Sequence, residues 1–358
     1  MARISFKPFL VALAALGVWA AQPAKAAEPL VIRLGYAGVG ADNRQLASGN
    51  TWATAHAGGF LEEEFKNDPN IKLEWYFFRG AGPAVNEALA NKQLDFASQG
   101  DLPSIIGRSN GLKTRLLLVG GTRRPVYLAV PKGSSIKTIE NLKGRKVALQ
   151  LGTNNHLSAA KVLAAHGLSD KTVSIINLDA SAANAALASK DVDAAFGDTS
   201  FLRLKEQGLV EIAYNSNDDN PIFSRTGSTF VTEDFEKAHP DITTRVVKAF
   251  VKAAQWSSEE QNREALIALW AKSGTPESVL RADLAPDPLA FRHSPLIDPF
   301  IIGQYRTRAA QSKEFGLIRR DVSVDAWFEP KYLDAALKEL GLTSYWTRYA
   351  DDGKALVN

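Results

Sequence analysis

Cysteine is absent from all 358 residues, and the single methionine stands at position 1. No disulfide, iron–sulfur cluster or thiolate nucleophile can form, so stability has to come from burial. The five histidines, His56, His156, His166, His239 and His293, show no close pair at metal-ligand spacing, and no metal site is expected. Walker A, H-E-x-x-H and EF-hand patterns are missing, as are internal repeats and low-complexity linkers. An excess of one charge sign is also missing: the net charge is +3, and Arg3, Lys7 and Lys25 account for all of it. Apolar runs of membrane-spanning length do not occur either, since Phe9 to Ala21 is too short to cross comfortably.

That short run has the form of an export signal. Arg3 and Lys7 precede it, and Ala24-Lys25-Ala26 fits an A-x-A cleavage site, so residues 1–26 are expected to be removed and the protein to work in the periplasm. The remaining chain is formally neutral. A basic field for nucleic acid or an anionic membrane is therefore not expected, and any anion must be captured locally. The length exceeds what one hydrophobic core usually supports, which predicts two lobes.

Strand-like and helix-like runs alternate, the pattern of an α/β fold. Strands are expected at Leu30 to Tyr36, Ile71 to Phe78, Asp95 to Ser98 and Arg115 to Val119, with helices at Thr51 to Phe65, Pro83 to Asn91 and Pro103 to Arg108. A second series places strands at 126–130, 147–150, 173–177 and 192–196, with helices at 157–165 and 182–188 between them. After a short strand at Ser228 to Val231 the chain reads as helical almost to its end. Two lobes without a flexible linker imply a hinged pair.

Two catalytic look-alikes fail on context. Gly38-Val-Gly40 lacks the third glycine of a dinucleotide fingerprint, because position 43 is Asn. Gly107-Arg-Ser-Asn-Gly111 matches a nucleophile elbow by letter, but here a helix precedes the serine and a strand follows, so Gly107 or Gly111 reads as a helix C-cap. An exported hydrolase is thus the remote alternative.

What remains is a set of glycine-rich and small-polar loops, each after an expected strand and before a helix. They are Gly80-Ala-Gly-Pro83, Ser98-Gln-Gly-Asp101, Gly152-Thr-Asn-Asn155 and Gly197-Asp-Thr-Ser200. Helix starts expose unpaired N–H groups and the positive end of the helix dipole, which suits an anion. The candidate ligand-binding residues are Gly82, Ser98, Gln99, Gly100, Asp101, Gly152, Thr153, Asn154, Asn155, Asp198 and Thr199. Asp198 either receives a ligand amine or caps its helix. Arg123 and Arg124 can pair with an anion, although surface solvation is the commoner fate of arginine.

The segments Phe78 to Pro83 with Glu87-Ala-Leu89, Asp95 to Pro103, Ile136 to Val147, Gln150 to His156, Val192 to Asp198 and Val324 to Pro330 resemble the substrate-binding proteins of ABC importers for aliphatic sulfonates, taurine and nitrate, a family that also includes thiamine-precursor proteins. The resemblance implies a type II periplasmic-binding fold. Lobe one would span 28–121 and 229–358 with the C-terminal helices, lobe two 122–228, and crossing strands near 126 and 229 would form the hinge. It implies a monomer with no cofactor and no catalysis, which captures a small organic anion between the lobes and hands it to a permease with its ATPase. Aliphatic sulfonate or taurine leads; nitrate, an aromatic acid or a thiamine-precursor heterocycle are the alternatives. This chain departs from the family at Gly197, where tryptophan is frequent, and in the longer, more polar segment 37–50.

Overall fold

The computed structural model describes Ala2 and residues 28–356, so the export signal expected over 1–26 lies outside the described residues apart from Ala2. In chain order the strands are β1 (Leu30–Tyr36), β2 (Ile71–Phe77), β3 (Phe96–Gly100), β4 (Thr114–Arg124), β5 (Tyr127–Pro131), β6 (Lys146–Leu149), β7 (Ser174–Asn177), β8 (Ala194–Gly197), β9 (Val210–Asn215) and β10 (Arg225–Thr232). They form two five-stranded sheets, ordered β2-β1-β3-β10-β4 and β7-β6-β8-β5-β9. In each sheet one strand runs against its neighbours. β10 is antiparallel to β3 and β4, and β5 is antiparallel to β8 and β9.

These two strands carry the chain between sheets. It leaves the first sheet at Arg124, enters the second at Tyr127, leaves β9 at Asn215 and returns at Arg225. Arg124 and Arg225 are register partners, so the two crossings lie side by side. A pair of adjacent extended crossings flexes more easily than a packed interface, which is the construction of a hinge.

Each sheet is covered on both faces. The largest core packs the first sheet against the helix Pro240–Ser258 and its neighbours, with Trp52, Trp270 and Trp327 fully buried. Trp52 stacks on Phe250 at 4.8 Å and its indole N–H donates to Thr229 Oγ1 at 2.6 Å, so the ring is buried without leaving its polar atom unpaired. The opposite face is closed by the helix Ala81–Ala90 through Val85, Ala88 and Leu89. Two smaller cores, around Val147 and around Ala195, lie on the two faces of the second sheet.

Several expected elements are revised. The single helix over Thr51 to Phe65 is two, Thr51–Ala57 and Phe60–Phe65, because Gly59 sits at φ 68° between them. Strand β9 was not expected; most of its residues are only half-buried, so it lacks a clear alternation of apolar and polar positions. The strand at Ser228 to Val231 starts three residues earlier, at Arg225. Gly111 holds φ 94° just past the helix Asp101–Ser109, and Ser109 ends that helix with its hydroxyl donated to the Arg320 carbonyl at 3.3 Å. No helix among the described residues is long and apolar enough to cross a membrane.

Candidate functional site

Parallel strands bring the loops after their C-terminal ends to one edge of the sheet, where open α/β folds bind ligands. Here the edges of both sheets face a single cavity of about 650 Å³. The first lobe lines it with Tyr36, Gly82, Ser98, Gln99 and Gly100, and the second with Thr153, Asn154, Asn155, Asp198 and Thr199. The helices Ala81–Ala90, Asp101–Ser109 and Asn154–Ala165 begin there, and their N-cap residues Gly80, Gly100 and Thr153 offer no side-chain cap. Within the first turns Ala81 donates to the Phe78 carbonyl, Leu102 to Asp101 Oδ1 and His156 to the Thr153 carbonyl, while Pro83 and Pro103 have no N–H; the Gly82, Asn154 and Asn155 N–H groups are what both lobes leave for a ligand.

Two guanidiniums occupy the floor. Arg225 is buried, and its Nε and Nη2 donate to the Pro125 carbonyl at 3.1 and 2.7 Å, which fixes the head while leaving Nη1. Burial, reinforced by Arg124, lowers it to about 10, still charged at neutral pH. Arg124 is half-buried and, among the described residues, has no ion-pair partner within 4.0 Å. Asp198 lies in the same field. Burial acts to raise its carboxyl, but the Arg225 charge, the Ser200 N–H and Arg124 outweigh it and hold the group below the ordinary aspartate range. Its Oδ1 accepts the Ser200 N–H at 3.0 Å. Two cations against one carboxylate leave the floor one positive charge in excess, which suits a monoanion held by charge-assisted hydrogen bonds.

The lobes touch around this cavity. Arg79 Nη2 reaches Asp179 Oδ2 at 3.2 Å across the cleft, and both residues line it. Deeper in, a Cβ on Gly100 would stand 2.7 Å from Asn154 Cβ, and one on Gly152 would stand 3.2 Å from Pro83 Cγ. Gly100 has φ −71°, so conformation does not require glycine there; the facing lobe does. Gly100→Val is expected to weaken ligand binding by about 5- to 150-fold, the scale of 1–3 kcal/mol for overpacking. The ligand-free melting temperature should barely move, because opening relieves the clash. Calorimetry with melting curves checks this, and unchanged affinity would show that the contact is not needed for closure.

A model of the NMT1/THI5-like family matches residues 59–264. The chain belongs to that family. Over 263 residues it is 29% identical to a protein of Escherichia coli (strain K12) described as an aliphatic sulfonates-binding protein, covering 72% of this chain and 76% of that one. A Bacillus subtilis (strain 168) protein of the same description is 29% identical, with 58% of this chain matched to 62% of its length. Among solved structures, a periplasmic sulfonate-binding protein described as part of a sulfonate ABC transporter of Methylobacillus flagellatus KT superposes with a TM-score of 0.77 at 31% identity, covering 90% of this chain and 98% of that chain.

Within this NMT1/THI5-like chain, nine of the eleven expected site residues line the cavity, and Asp101 and Gly152 do not. Asp101 turns back into the protein: its Oδ1 accepts the Leu102 N–H at 2.7 Å and its Oδ2 faces Arg308 Nη1 at 3.2 Å. Gly152 sits against Pro83 in the lobe contact. The expectation of solvated arginines is corrected for both residues, which are half-buried. Arg123, at φ 52°, swings the other way from Arg124, facing Asp287 at 3.2 Å and stacking on Phe291 at 5.0 Å. Arg225, Asn50 and the Arg79–Asp179 pair were missed. A lone arginine at a strand start carries no local signal; only its register beside Arg124 gives it a site.

Proposed function

We propose that this protein is the solute-binding component of an ABC importer, exported to the periplasm, which captures a small organic anion of the aliphatic sulfonate or taurine class between its lobes. The observation that carries this is the Arg124–Arg225 pair at the meeting point of helix N-termini from both lobes. The relatives described as sulfonate-binding proteins support the same class. In this reading lobe one is 28–121 with 229–358, lobe two is 122–228, and the monomer closes over its ligand and presents the closed face to a permease with its ATPase. Closure follows from contacts that only the closed form makes. The protein releases its ligand unchanged. Micromolar affinity needs about 8 kcal/mol net, within reach of four to six charge-assisted bonds at about 1.5–3 kcal/mol each after ordering costs.

Calorimetry with ethanesulfonate, taurine, nitrate, benzoate and a neutral pyrimidine tests the class. Sulfonate heat is expected, and heat with the pyrimidine alone would overturn the reading. Asp198→Asn separates the two roles of that residue, because asparagine keeps an acceptor for the Ser200 N–H but removes the charge. Ethanesulfonate should then bind about three- to tenfold more tightly, the scale of about 1 kcal/mol for relieving one like charge at cleft dielectric. Taurine should bind more weakly if Asp198 receives its amine. A parallel change for both ligands would leave Asp198 as a helix cap only.

A further inference from the structure

One residue of the cavity wall offers a donor that carries no charge. Tyr36 ends β1, and its ring is fixed on two sides: it tilts on Phe77 with centroids 5.6 Å apart, and a Cβ on Gly38 would stand 3.1 Å from its Cε1. The residue is buried, yet it lines the cavity. Burial pushes the phenol above its ordinary range, so the hydroxyl keeps its hydrogen at neutral pH. The charges of Arg124 and Asp198 also act on it, which puts it beside the floor of the cleft.

Asn50 decides where that hydrogen goes. It caps the helix Thr51–Ala57: its Oδ1 accepts the Ala53 N–H at 2.9 Å, and its Nδ2 donates to Tyr36 Oη at 2.9 Å. The amide cannot be turned round, because the Ala53 N–H requires an oxygen. Packing holds it in place. A Cβ on Gly121 would stand 3.4 Å from Asn50 Cβ, and Gly49, at φ 86°, would place one 3.1 Å from Arg124 Nη2. Tyr36 Oη is therefore an acceptor toward Asn50, and Arg124 beside it has donors only. Among the described residues no acceptor lies within hydrogen-bond distance of the phenol O–H. That leaves the hydrogen for the cavity.

We infer that Asn50 is a positioning residue that aims the Tyr36 hydroxyl at the bound anion, and that this donor meets a third oxygen and so favours a sulfonate over a carboxylate. This rests on the anion reading above. A sulfonate presents three oxygens in a pyramid, a carboxylate two in a plane. The floor guanidiniums of Arg124 and Arg225 supply the charge that either anion needs and donors for two oxygens. A third oxygen shut in the cleft without a donor would be costly. Tyr36 comes from β1, Arg124 from β4 and Arg225 from β10, so the three donors approach from three strands. A planar carboxylate leaves the hydroxyl unmet.

Calorimetry on the full chain with ethanesulfonate and propionate, which share an ethyl group and a single charge, reads the preference as a ratio of affinities. Tyr36→Phe should lower that ratio about 10- to 150-fold, the scale of one hydrogen bond to a charged group. Asn50→Asp keeps the helix cap, so the melting temperature should hold, but its second oxygen accepts the phenol hydrogen. The ratio should fall on the same scale, since the added charge cancels between two monoanions, and should fall no further in the double variant. Asn50→Ser, a neutral cap too short to reach Tyr36, should lower it partway and serves should the aspartate variant fail to fold. An unchanged ratio in Tyr36→Phe would overturn the third-oxygen role and leave the anion reading standing. A fall in Tyr36→Phe with none in either Asn50 variant would overturn the positioning role. Failure of the unmodified protein to bind either anion would overturn the anion reading itself.

Discussion

Arg124→Gln is expected to weaken ethanesulfonate binding by about 30- to 1000-fold, the 2–4 kcal/mol lost when one partner of a desolvated charge pair is removed. The fold should tolerate it, since no ion pair or side-chain hydrogen bond among the described residues depends on Arg124 at hydrogen-bond distance. The neighbouring substitution should behave oppositely. Arg123→Gln leaves the buried Asp287 carboxylate with only the more distant Arg292, at 3.8 Å, and so lowers the melting temperature while leaving affinity nearly unchanged. Calorimetry and melting curves on the two proteins read both effects. Equal losses of affinity would mean that Arg124 acts through the hinge and not on the ligand.

The second large effect is on stability and its pH dependence. Lys161, in the helix Asn154–Ala165, is buried, and its ammonium donates to the Ile222 carbonyl at 2.6 Å. Nearby, Arg308 faces Asp101 at 3.2 Å and donates to the Ser224 carbonyl at 3.4 Å. Burial, aided by the Arg308 charge and opposed by Asp101, brings the Lys161 ammonium down to about 7 from its ordinary 10.5. The unfolded chain keeps this proton until about pH 10.5, whereas the folded protein releases it near pH 7. Between those values the unfolded state binds more protons, so rising pH stabilises the fold by about 1.4 kcal/mol per unit and about 5 kcal/mol in all. Below pH 7 this penalty is constant.

Lys161→Met removes the linkage. Urea melts from pH 6 to 10 should show the variant gaining most over the wild type at pH 6 to 7, with the gap closing toward pH 10. Parallel curves would mean that the ammonium is hydrated in the folded state. Because Lys161 lies on the helix whose first turn lines the cleft, and Arg308 contacts the residue that opens the facing helix, this charged cluster lies behind the binding site from both lobes.

Much of the architecture was legible in the chain because it is written locally. A strand, a glycine or small-polar turn and a helix recur at Phe77 to Gly82, at Phe96 to Asp101 and at Leu149 to Asn154, and each turn ends where a helix begins. Gly58-Gly59 interrupts an otherwise continuous helical run, and the left-handed φ at Gly59 turns that into a break. β9 was less legible: it borders the sheet with β5 as its partner, and an edge strand that is half-buried at every position after Val210 has little periodicity to show.

By itself the sequence determined which chemistries are possible: no thiol, no paired metal ligands, no excess charge, and several helix starts with small residues able to meet an anion with backbone N–H groups. Tertiary structure alone decided where the charge stands. Arg124 and Arg225 are about one hundred positions apart and become neighbours only because two crossing strands pair antiparallel at the hinge, and Asp101, a site candidate by its loop, is turned away by Arg308 on a helix two hundred residues later. Propensity and capping act within a few residues and can be read along the chain, whereas the partner of a buried charge is set by packing between segments that the sequence does not place side by side.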